Sequence, residues 1–414
     1  MVHANCTAAV RHVEASRPIG KPRRCLSDGP ANGTVPFYLY PPNAFSLFTG
    51  CNRSAHLGKH SAALFLVGAL RRHPWRTREM RLACVFVIPA LLDWLGNGLC
   101  PSMDADSHLE NTSRIVGPNL HRGPHVFLAA DWSQVGRFGR TARACMLRLL
   151  PGSRQAHYRH APPCEIGLGY VANTDLASPG APWHARTHDQ SSTASLPSSA
   201  VFAVPSLAAA RPHLVEFVGS YYLRATHRDR RRFLHERPDA RLPRSSLPVV
   251  VTPSRLPSLP LNKSLPLCRG PTDYYYCRRE LPVAETARLR AQSEFALYMR
   301  GDDESSDRLQ NAFTMLQIPL VVGAANARWL PFPSAIPWER IVLTVPQEAF
   351  DRRPAEAVLS AIATLSPAER ARRRQLMHAH LPDLLWTVDG SRVADNFLRE
   401  AAVAIAQDAP CTKY

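Results

Sequence analysis

The sequence of 414 residues has no long apolar run, so no membrane-spanning segment is visible in it. Its longest such run, Leu82 to Leu92, is shorter than the ~20 residues that a spanning helix needs, and it contains Pro89. Residues 1–36 are polar and basic and lack the apolar core of a signal peptide. We expect residues 1–34 to form a poorly ordered leader.

Zinc-ribbon spacing is also missing, because no two of the 10 cysteines form a C-x-x-C pair. An even number of cysteines, together with Asn-x-Ser/Thr triplets, suits a protein of the secretory lumen. The triplets start at Asn5, Asn32, Asn52, Asn111 and Asn262. Cys268 and Cys277 lie close together in a proline-flanked loop and are the first pair that we expect to form a disulfide. A buried free thiol remains an alternative for Cys84 and Cys145.

Acidic residues are few: 33 Asp and Glu stand against 50 Lys and Arg, for a formal net charge of +17. This excess favours acidic partners such as nucleotide sugars, acidic polysaccharides, nucleic acid or an anionic membrane surface. Two local clusters, residues 228–232 and 370–374, are rich in arginine, and a solvated surface is the commoner explanation for each. No internal repeat and no heptad array is present, which argues against a solenoid or a coiled coil.

The pattern of residues 294–345 predicts a strand, a turn, a helix and a second strand. Phe295 to Met299 is an apolar run of strand length, and a polar turn from Arg300 to Glu304 follows. Ser305 or Ser306 suits the helix N-cap, and Ile318 to Val322 is the second strand. One helical face would be formed by Leu309, Ala312, Phe313 and Leu316. Such a unit places a helix N-terminus at the carboxyl edge of a parallel sheet, where α/β proteins bind ligands.

Arg308 falls in the first turn of this predicted helix. The helix dipole is positive there and disfavours a cation by roughly 0.3–1 kcal/mol, whereas a bound anion would reverse the sign. The alternative is a surface ion pair with one of four nearby carboxylates. Those carboxylates belong to Asp302, Asp303, Glu304 and Asp307. The local pattern alone leaves both interpretations open.

This segment resembles the signature of the exostosin-like glycosyltransferases (glycosyltransferase family 47). The family pattern is a glycine turn, Ser-x-Arg opening a helix, an alanine or serine, Ile-Pro-Val-Ile, and a later Leu-Pro-Phe. The matching residues are Gly301, Ser306, Arg308, Ala312, Ile318 to Val321, and Leu330 to Phe332. Met315-Leu316-Gln317 departs from the pattern, because the family has a Gly-Cys pair before Ile-Pro.

Weaker matches to the same family extend over roughly residues 35–400. They are Val35 to Pro42, Arg76-Thr77 with Ala83 to Pro89, Gly123 to Trp132, Asp175 to Pro179, His213 to Gly219, and Asp395 to Phe397. In the third of these, the chain keeps His125 and Asp131 but has Pro124 where the family has an acidic residue. Between the matches, residues 96–118 suggest a surface loop, and residues 141–150 suggest a short helix.

The resemblance implies an α/β protein of the GT-B type, with two Rossmann-like domains facing across a cleft. A Ser-, Thr-, Ala- and Pro-rich segment at residues 184–200 is the expected linker. We therefore expect an N-terminal, acceptor-side domain at residues 35–200 and a nucleotide-sugar-binding domain at residues 201–385. Residues 386–414 would form a C-terminal helix and tail.

The implied reaction transfers a sugar from a nucleotide diphosphate sugar, UDP-linked in the first instance, to an acceptor hydroxyl with inversion. Arg308 would neutralise the leaving diphosphate, together with the Ser306 hydroxyl, the helix amides, and Arg300 and Gly301 of the turn. No metal and no cofactor is expected, because GT-B transferases generally manage without a metal, and Asp302-Asp303 more readily fills a turn or cap role.

The sequence contains two candidates for the general base. His125 and Asp131 are the expected candidates because the family alignment places them at the cleft, and a histidine titrates in the useful range. A core or positioning role for His125 is an open alternative. Asp175 would orient the acceptor.

The implied partners are the nucleotide sugar, a glycan or glycoprotein acceptor, and related transferases in a homo- or hetero-oligomer. The implied location is the Golgi lumen, where such enzymes are normally membrane-anchored and serve polysaccharide biosynthesis or protein glycosylation. A catalytically degenerate protein that binds a glycan or a partner on the same fold is the alternative. Nucleic-acid binding ranks last, since only the basic pI supports it.

Overall fold

A computed structural model describes residues 33–45, 62–89, 105–122, 125–128, 147–150, 165–167, 203–220, 228–235, 249–252, 277–278, 283–299, 307–323 and 330–406. These residues divide into two compact units. The first contains the described residues up to Gly167 together with those from Gly390 onward, and the second contains those from residue 203 to Asp389.

The first unit is built on a five-stranded parallel sheet in the order β1-β2-β3-β4-β5. The strands are β1 (Phe37–Leu39), β2 (Val85–Ile88), β3 (His125–Leu128), β4 (Leu147–Leu150) and β5 (Glu165–Gly167). Its helices are α1 (Ala62–Arg72), α2 (Ala105–Val116) and, from the far end of the chain, α11 (Val393–Ala406). Every residue of β2 is buried, as the apolar run at 85–88 predicts for a strand covered on both faces.

Helix α11 completes this unit by packing on α1, β2 and β5. Its first turn carries Asp395, whose carboxylate lies 2.7 Å from His73 Nε2. The backbone N–H of Trp75 donates to His73 Nδ1 (3.2 Å), so the imidazole proton lies on Nε2 and is donated to Asp395. The Arg399 guanidinium stacks over the Trp75 ring at 5.4 Å. The Asp-Asn-Phe motif near the C-terminus thus fastens the last helix to α1 and the turn that follows it.

Two expectations for this unit are wrong. Residues 105–116 form helix α2, although the segment was expected to be a loop, because His108, Thr112 and Val116 repeat every fourth residue and bury one face. Residues 147–150 form strand β4, since pairing with β3 and β5 outweighs their weak local helical pattern.

Cys84 is disulfide-bonded, which excludes the free thiol that was the alternative for this residue. The expected Cys268–Cys277 pair lies partly outside the described residues.

The second unit holds a six-stranded parallel sheet in the order β11-β10-β9-β6-β7-β8. Its strands are β6 (His213–Ser220), β7 (Val249–Thr252), β8 (Cys277–Arg278), β9 (Ser293–Tyr298), β10 (Ile318–Val322) and β11 (Leu343–Val345). Counted within the unit, the spatial order is 3-2-1-4-5-6 from the β8 edge, which is the order of the Rossmann fold. The predicted α/β class with two Rossmann-like domains is confirmed.

Eight helices are described in the second unit. They are α3 (Arg228–His235), α4 (Val283–Ala291), α5 (Asp307–Thr314), α6 (Trp338–Ile341), α7 (Gln347–Arg352), α8 (Pro354–Ala363), α9 (Pro367–Ala379) and α10 (Leu381–Leu384). Ser366 is the N-cap of α9, because its hydroxyl accepts from the Glu369 amide and Pro367 occupies the first helical position.

Arginines of the second basic cluster brace the amino end of β9, and they do not form the solvated face that was expected. Arg370 and Arg374 both donate to the Glu294 carboxylate, at 3.1 and 2.8 Å. The Arg370 guanidinium also lies over the Phe295 ring, at 5.4 Å. Arg373 donates to the Val342 carbonyl at 2.6 Å. These bonds join α9 to the sheet, so a large part of the positive charge of this segment is neutralised within the fold.

The His73–Asp395 pair is expected to stabilise the first unit through a specific coupling. In a double-mutant cycle of His73→Ala and Asp395→Ala, we expect a coupling energy of about 1–2 kcal/mol, because the bond is short and the imidazole is almost buried. Urea unfolding of the four proteins measures this energy. Additive effects of the two substitutions would contradict the assignment.

Candidate active site

The best placed ligand site in the second unit lies at the carboxyl ends of β6 and β9. These adjacent strands are the first and fourth of the sheet, so the chain connections leave them toward opposite sides. This is the topological switch point, where parallel α/β sheets open a crevice for ligands. Helix α5 follows β9 and begins at Asp307, so its first turn lies at this edge.

Arg308 spans the switch point. It belongs to the first turn of α5, and its Nε–H donates to the carbonyl oxygen of Val218 near the end of β6 (3.1 Å). Its guanidinium lies over the Phe217 ring, with the central carbon 5.4 Å from the ring centroid. The side chain is half-buried. The sequence placed Arg308 at a helix N-terminus, and the structure adds the strand that fixes the direction of its side chain.

A buried carboxylate lies behind this arginine. Glu216 of β6 is 5% exposed, and its Oε1 lies 3.8 Å from Nε of Arg290 on α4. Burial raises the pKa of Glu216, and the positive charges of Arg290 and Arg308 and the amide of Gln317 oppose this rise. The carboxylate therefore supplies the negative charge that makes two neighbouring guanidinium groups tolerable inside the unit.

Phe217 lies beside a second guanidinium. Arg230, in the first turn of α3, has its central carbon 5.9 Å from the ring centroid. This arginine is only 3% exposed, so the surface role expected for the first basic cluster is wrong at this position. No local pattern distinguishes this residue, because Arg228, Arg230 and Arg232 lie together in a short arginine-rich run.

Gln347, the first residue of α7, connects the neighbouring elements at the same edge. Its side-chain amide donates to Asp229 and to Asp351, both at 3.1 Å. Asp351 also accepts from Arg228 and from Arg232. These five side chains, here called the α3–α7 brace, join the helix after β6 to the helix after β11. A glutamine with one amide group thereby holds two carboxylates that would otherwise repel each other.

The two carboxyl groups of the α3–α7 brace have pKa values shifted in opposite directions. Burial raises the pKa of Asp229, and the nearby Asp351 charge adds to this effect against the bond from Gln347. For Asp351, burial acts in the same direction, but the hydrogen bonds from Gln347 and Arg232 and the charge of Arg228 prevail and lower its pKa. Asp351 is therefore the more firmly ionised partner and the natural anchor for both arginines.

Gly323 makes room for this brace. It directly follows β10 and has φ +78°, and a Cβ at this position would lie 2.7 Å from Gln347 Oε1. Both the positive φ and the close approach favour glycine here. The glycine that follows the second apolar run therefore has a structural reason.

The loop that departs from the family pattern closes α5 in a Schellman motif. Leu316 has φ +51°, its N–H donates to the Phe313 carbonyl, and the Gln317 N–H donates to the Ala312 carbonyl. Leu316 stands at the C′ position, which usually needs glycine, and the family has glycine there. The left-handed conformation disfavours leucine by roughly 1–2 kcal/mol, but the side chain is fully buried, which returns about 1.5–3 kcal/mol.

His125 lies in the core of the first unit. It is 4% exposed and stacks on Phe86, with ring centroids 4.7 Å apart and an interplanar angle of 15°. The Tyr40 hydroxyl lies 3.0 Å from its Nε2. Burial is the main reason that the pKa of Tyr40 rises to about 12, so the phenol remains neutral. These contacts match the positioning role that was an alternative for His125.

The other sequence-predicted site residues lie outside the described residues. They are Asp131, Asp175, Arg300, Gly301 and Ser306. The sequence patterns did not indicate Glu216, Arg230 or Gln347, although the family match at His213 to Gly219 includes the strand that carries Glu216. Within the described ranges, no group of three His, Cys, Asp or Glu side chains could hold a metal ion. No helix in those ranges is both long and apolar enough to cross a membrane.

No protein-family model and no curated protein matches the sequence. Among solved structures, the chain is similar to the N-terminal domain of Candida albicans trehalose-6-phosphate phosphatase, at 10% identity over 84% of this chain and 73% of that chain, with a TM-score of 0.39. It is similar to the spinosyn rhamnosyltransferase SpnG, at 14% identity over 84% and 96% of the two chains, with a TM-score of 0.36. WaaG, a glycosyltransferase involved in lipopolysaccharide biosynthesis, is similar at 12% identity over 89% and 99%, with a TM-score of 0.35. Similarities at this level assign neither a family nor a function.

The conformation of Leu316 can be tested with two variants that both remove its side chain. We expect Leu316→Ala and Leu316→Gly each to be destabilised by about 1–4 kcal/mol, because both leave a cavity. Since glycine adopts a positive φ without strain, Leu316→Gly should be the more stable of the two by about 1 kcal/mol. Chemical denaturation measures both. A more stable alanine variant would refute the left-handed cap.

The raised pKa of Glu216 has a consequence for stability. The native carboxyl takes up a proton above its ordinary pKa of 4.5 and releases it on unfolding, so acidification from neutral pH toward pH 4.5 favours the native state. We therefore expect wild-type protein to gain stability relative to Glu216→Gln as the pH falls through this window. The difference between their unfolding free energies, measured across the window, isolates this group. A difference that stays constant, or that moves the other way, would contradict it.

Proposed function

We propose that this protein is a glycosyltransferase that moves a sugar from a nucleotide diphosphate sugar, UDP-linked in the first instance, to a hydroxyl of a glycan or glycoprotein acceptor with inversion. The observation that carries the proposal is the position of Arg308. It lies in the first turn of α5 at the switch point of a 3-2-1-4-5-6 sheet, and it is directed across the carboxyl ends of β6 and β9 by its bond to Val218.

This position suits the departure of a diphosphate. Negative charge grows on the leaving group in the transition state, and preorganised donors and a positive helix end stabilise that charge. Arginine binds phosphate oxygens bidentately in a fixed plane, which lysine cannot do. Ser306 and Gly301, which match the same family motif, would complete the diphosphate site from the turn before α5, with Arg300 of that turn assisting them. The proposed chemistry uses no metal or cofactor.

Acceptor activation requires a base in the first unit. The core contacts of His125 with Tyr40 and Phe86 favour a positioning role for the imidazole. Asp131 follows the carboxyl end of β3 by three residues and is the better candidate for the base. Asp175 remains the residue proposed to orient the acceptor.

The proposed location is the lumen of the Golgi. The disulfide at Cys84 supports it, because disulfides persist in oxidising compartments and are rare in the cytosol.

Arg308 provides the test. We expect UDP-sugars to raise the melting temperature of the wild-type protein, since a ligand of the native state stabilises it by mass action. Arg308→Ala should lose this shift and the transfer activity, and Arg308→Lys should retain a small part of both, because it keeps the charge without the planar fork. Arg352→Gln is the matched control, because Arg352 is 79% exposed and lies at the far end of α7.

A folded Arg308→Ala protein with full binding and transfer would refute the proposal. The burial of His125 favours one second candidate, a catalytically degenerate protein that binds a glycan or a partner on the same fold. Glycan binding without turnover over a panel of sugar nucleotides would identify that case.

A further inference from the structure

We propose that Asn111 is an N-glycosylation site, which carries an oligosaccharide on the flank of helix α2. This inference goes beyond the transfer reaction proposed above, because it concerns a modification of the chain itself. It rests on the proposed lumenal location, since Asn-x-Ser/Thr triplets receive their oligosaccharide in the secretory pathway.

Asn-x-Ser/Thr triplets are more frequent in this chain than its composition predicts. Serine and threonine together make up 48 of the 414 residues, and 12 residues are asparagine. A random order would therefore give about one or two triplets, whereas the chain has five. None of the five has proline at its middle position, which would prevent attachment. The excess indicates that triplets in this chain serve the attachment of a glycan.

Asn111 is the triplet asparagine that the structure describes, since the other four lie outside the described residues. Helix α2 turns one face into the first unit through His108, Thr112 and Val116, which are all buried. Asn111 precedes Thr112 and is therefore rotated by about 100° from the middle of this face. Its side chain is half-buried, and Arg114 on the solvent side is exposed. The carboxamide of Asn111 thus lies at the border between the unit and the solvent.

Buried asparagines give the opposite picture. Asn311 and Asn396 are each 2% exposed. Neither is followed by serine or threonine two positions later, so neither begins a triplet. Triplet and accessible side chain therefore occur together at Asn111, and both are missing at these two positions.

The side-chain amide of Asn111 can carry a sugar without losing a hydrogen bond. Its Nδ2 donates to the Ala44 carbonyl over 3.4 Å, which is long for such a bond, and its Oδ1 accepts from Arg114 Nη2 at 2.9 Å. The nitrogen has two N–H bonds, and the bond to Ala44 uses one of them. Attachment replaces the other N–H, so both contacts persist in the glycosylated protein.

The modification is a group transfer from a lipid diphosphate that carries an oligosaccharide. A bond forms between Asn111 Nδ2 and C1 of the first sugar. The bond between this C1 and the diphosphate oxygen breaks, and the lipid diphosphate leaves with the electron pair while Nδ2 loses one proton. The enzyme of the secretory pathway that catalyses this step recognises the hydroxyl of Ser113 as the third residue of the triplet.

The test uses full-chain protein isolated from the cells that make it. Peptide-N-glycosidase converts a glycosylated asparagine into aspartate, so digestion in heavy-oxygen water labels each occupied site for mass spectrometry. We expect the peptide that contains Asn111 to be labelled. Asn111→Gln and Ser113→Ala should each migrate faster on a gel by one glycan, because the first lacks the acceptor asparagine and the second lacks the recognised hydroxyl. Ser113→Thr is the matched control, since it keeps a hydroxyl at the same position and should retain the glycan.

The comparison does not depend on the stability of the variants, because the oligosaccharide is attached to the nascent chain before α2 is folded. An unlabelled Asn111 peptide, in protein whose other triplets are labelled, would overturn the inference and leave the lumenal location in place. If no triplet of the chain is labelled, the inference and the proposed location fail together. The transfer reaction is decided separately, by the Arg308 variants.

Discussion

The hydrogen bond from Arg308 to the Val218 carbonyl is the interaction on which the proposed site depends. It joins the helix that follows β9 to the strand that precedes α3, and these elements meet at the switch point of the sheet. Because the bond uses Nε, it fixes the direction of the guanidinium as well as its position. The ring of Phe217 and the carboxylate of Glu216 then determine the electrostatic surroundings of this guanidinium. The site is therefore a property of the six-stranded sheet and of its order.

Arginines at the two ends of the strands of this sheet have different surroundings. At the amino end of β9, Arg370 and Arg374 are paired with Glu294, and Arg211 donates to two carbonyl groups, so these charges serve the fold. At the carboxyl end, the guanidinium groups of Arg230 and Arg308 each lie near the Phe217 ring. A net charge of +17 therefore says little about nucleic acid, since much of it in the second unit is placed by internal contacts. Positive charge at the carboxyl edge coincides with two helix N-termini, which favours a small anionic ligand.

Local pattern predicted those parts of the chain in which it agrees with the tertiary environment. The strand, helix and strand at residues 293–322 follow from apolar runs and an apolar helical face that are almost entirely buried. Strand β4 could not be predicted, because four residues acquire their conformation from β3 and β5. Arg230 could not be identified either. It differs from its neighbours in being buried near Phe217, which lies on a different element and is close to it only in the folded unit.

Leu316 shows why a departure from a family motif need not change the site. The family glycine would provide the left-handed cap at no conformational cost, and this chain obtains the same cap from a leucine whose side chain is fully buried. The strain of the positive φ is offset by burial, so the cap before β10 forms with a leucine at this position. The substitution therefore gives no support to a degenerate enzyme. What bears on that question is the first unit, where a histidine that contacts Tyr40 and Phe86 has the surroundings of a core residue.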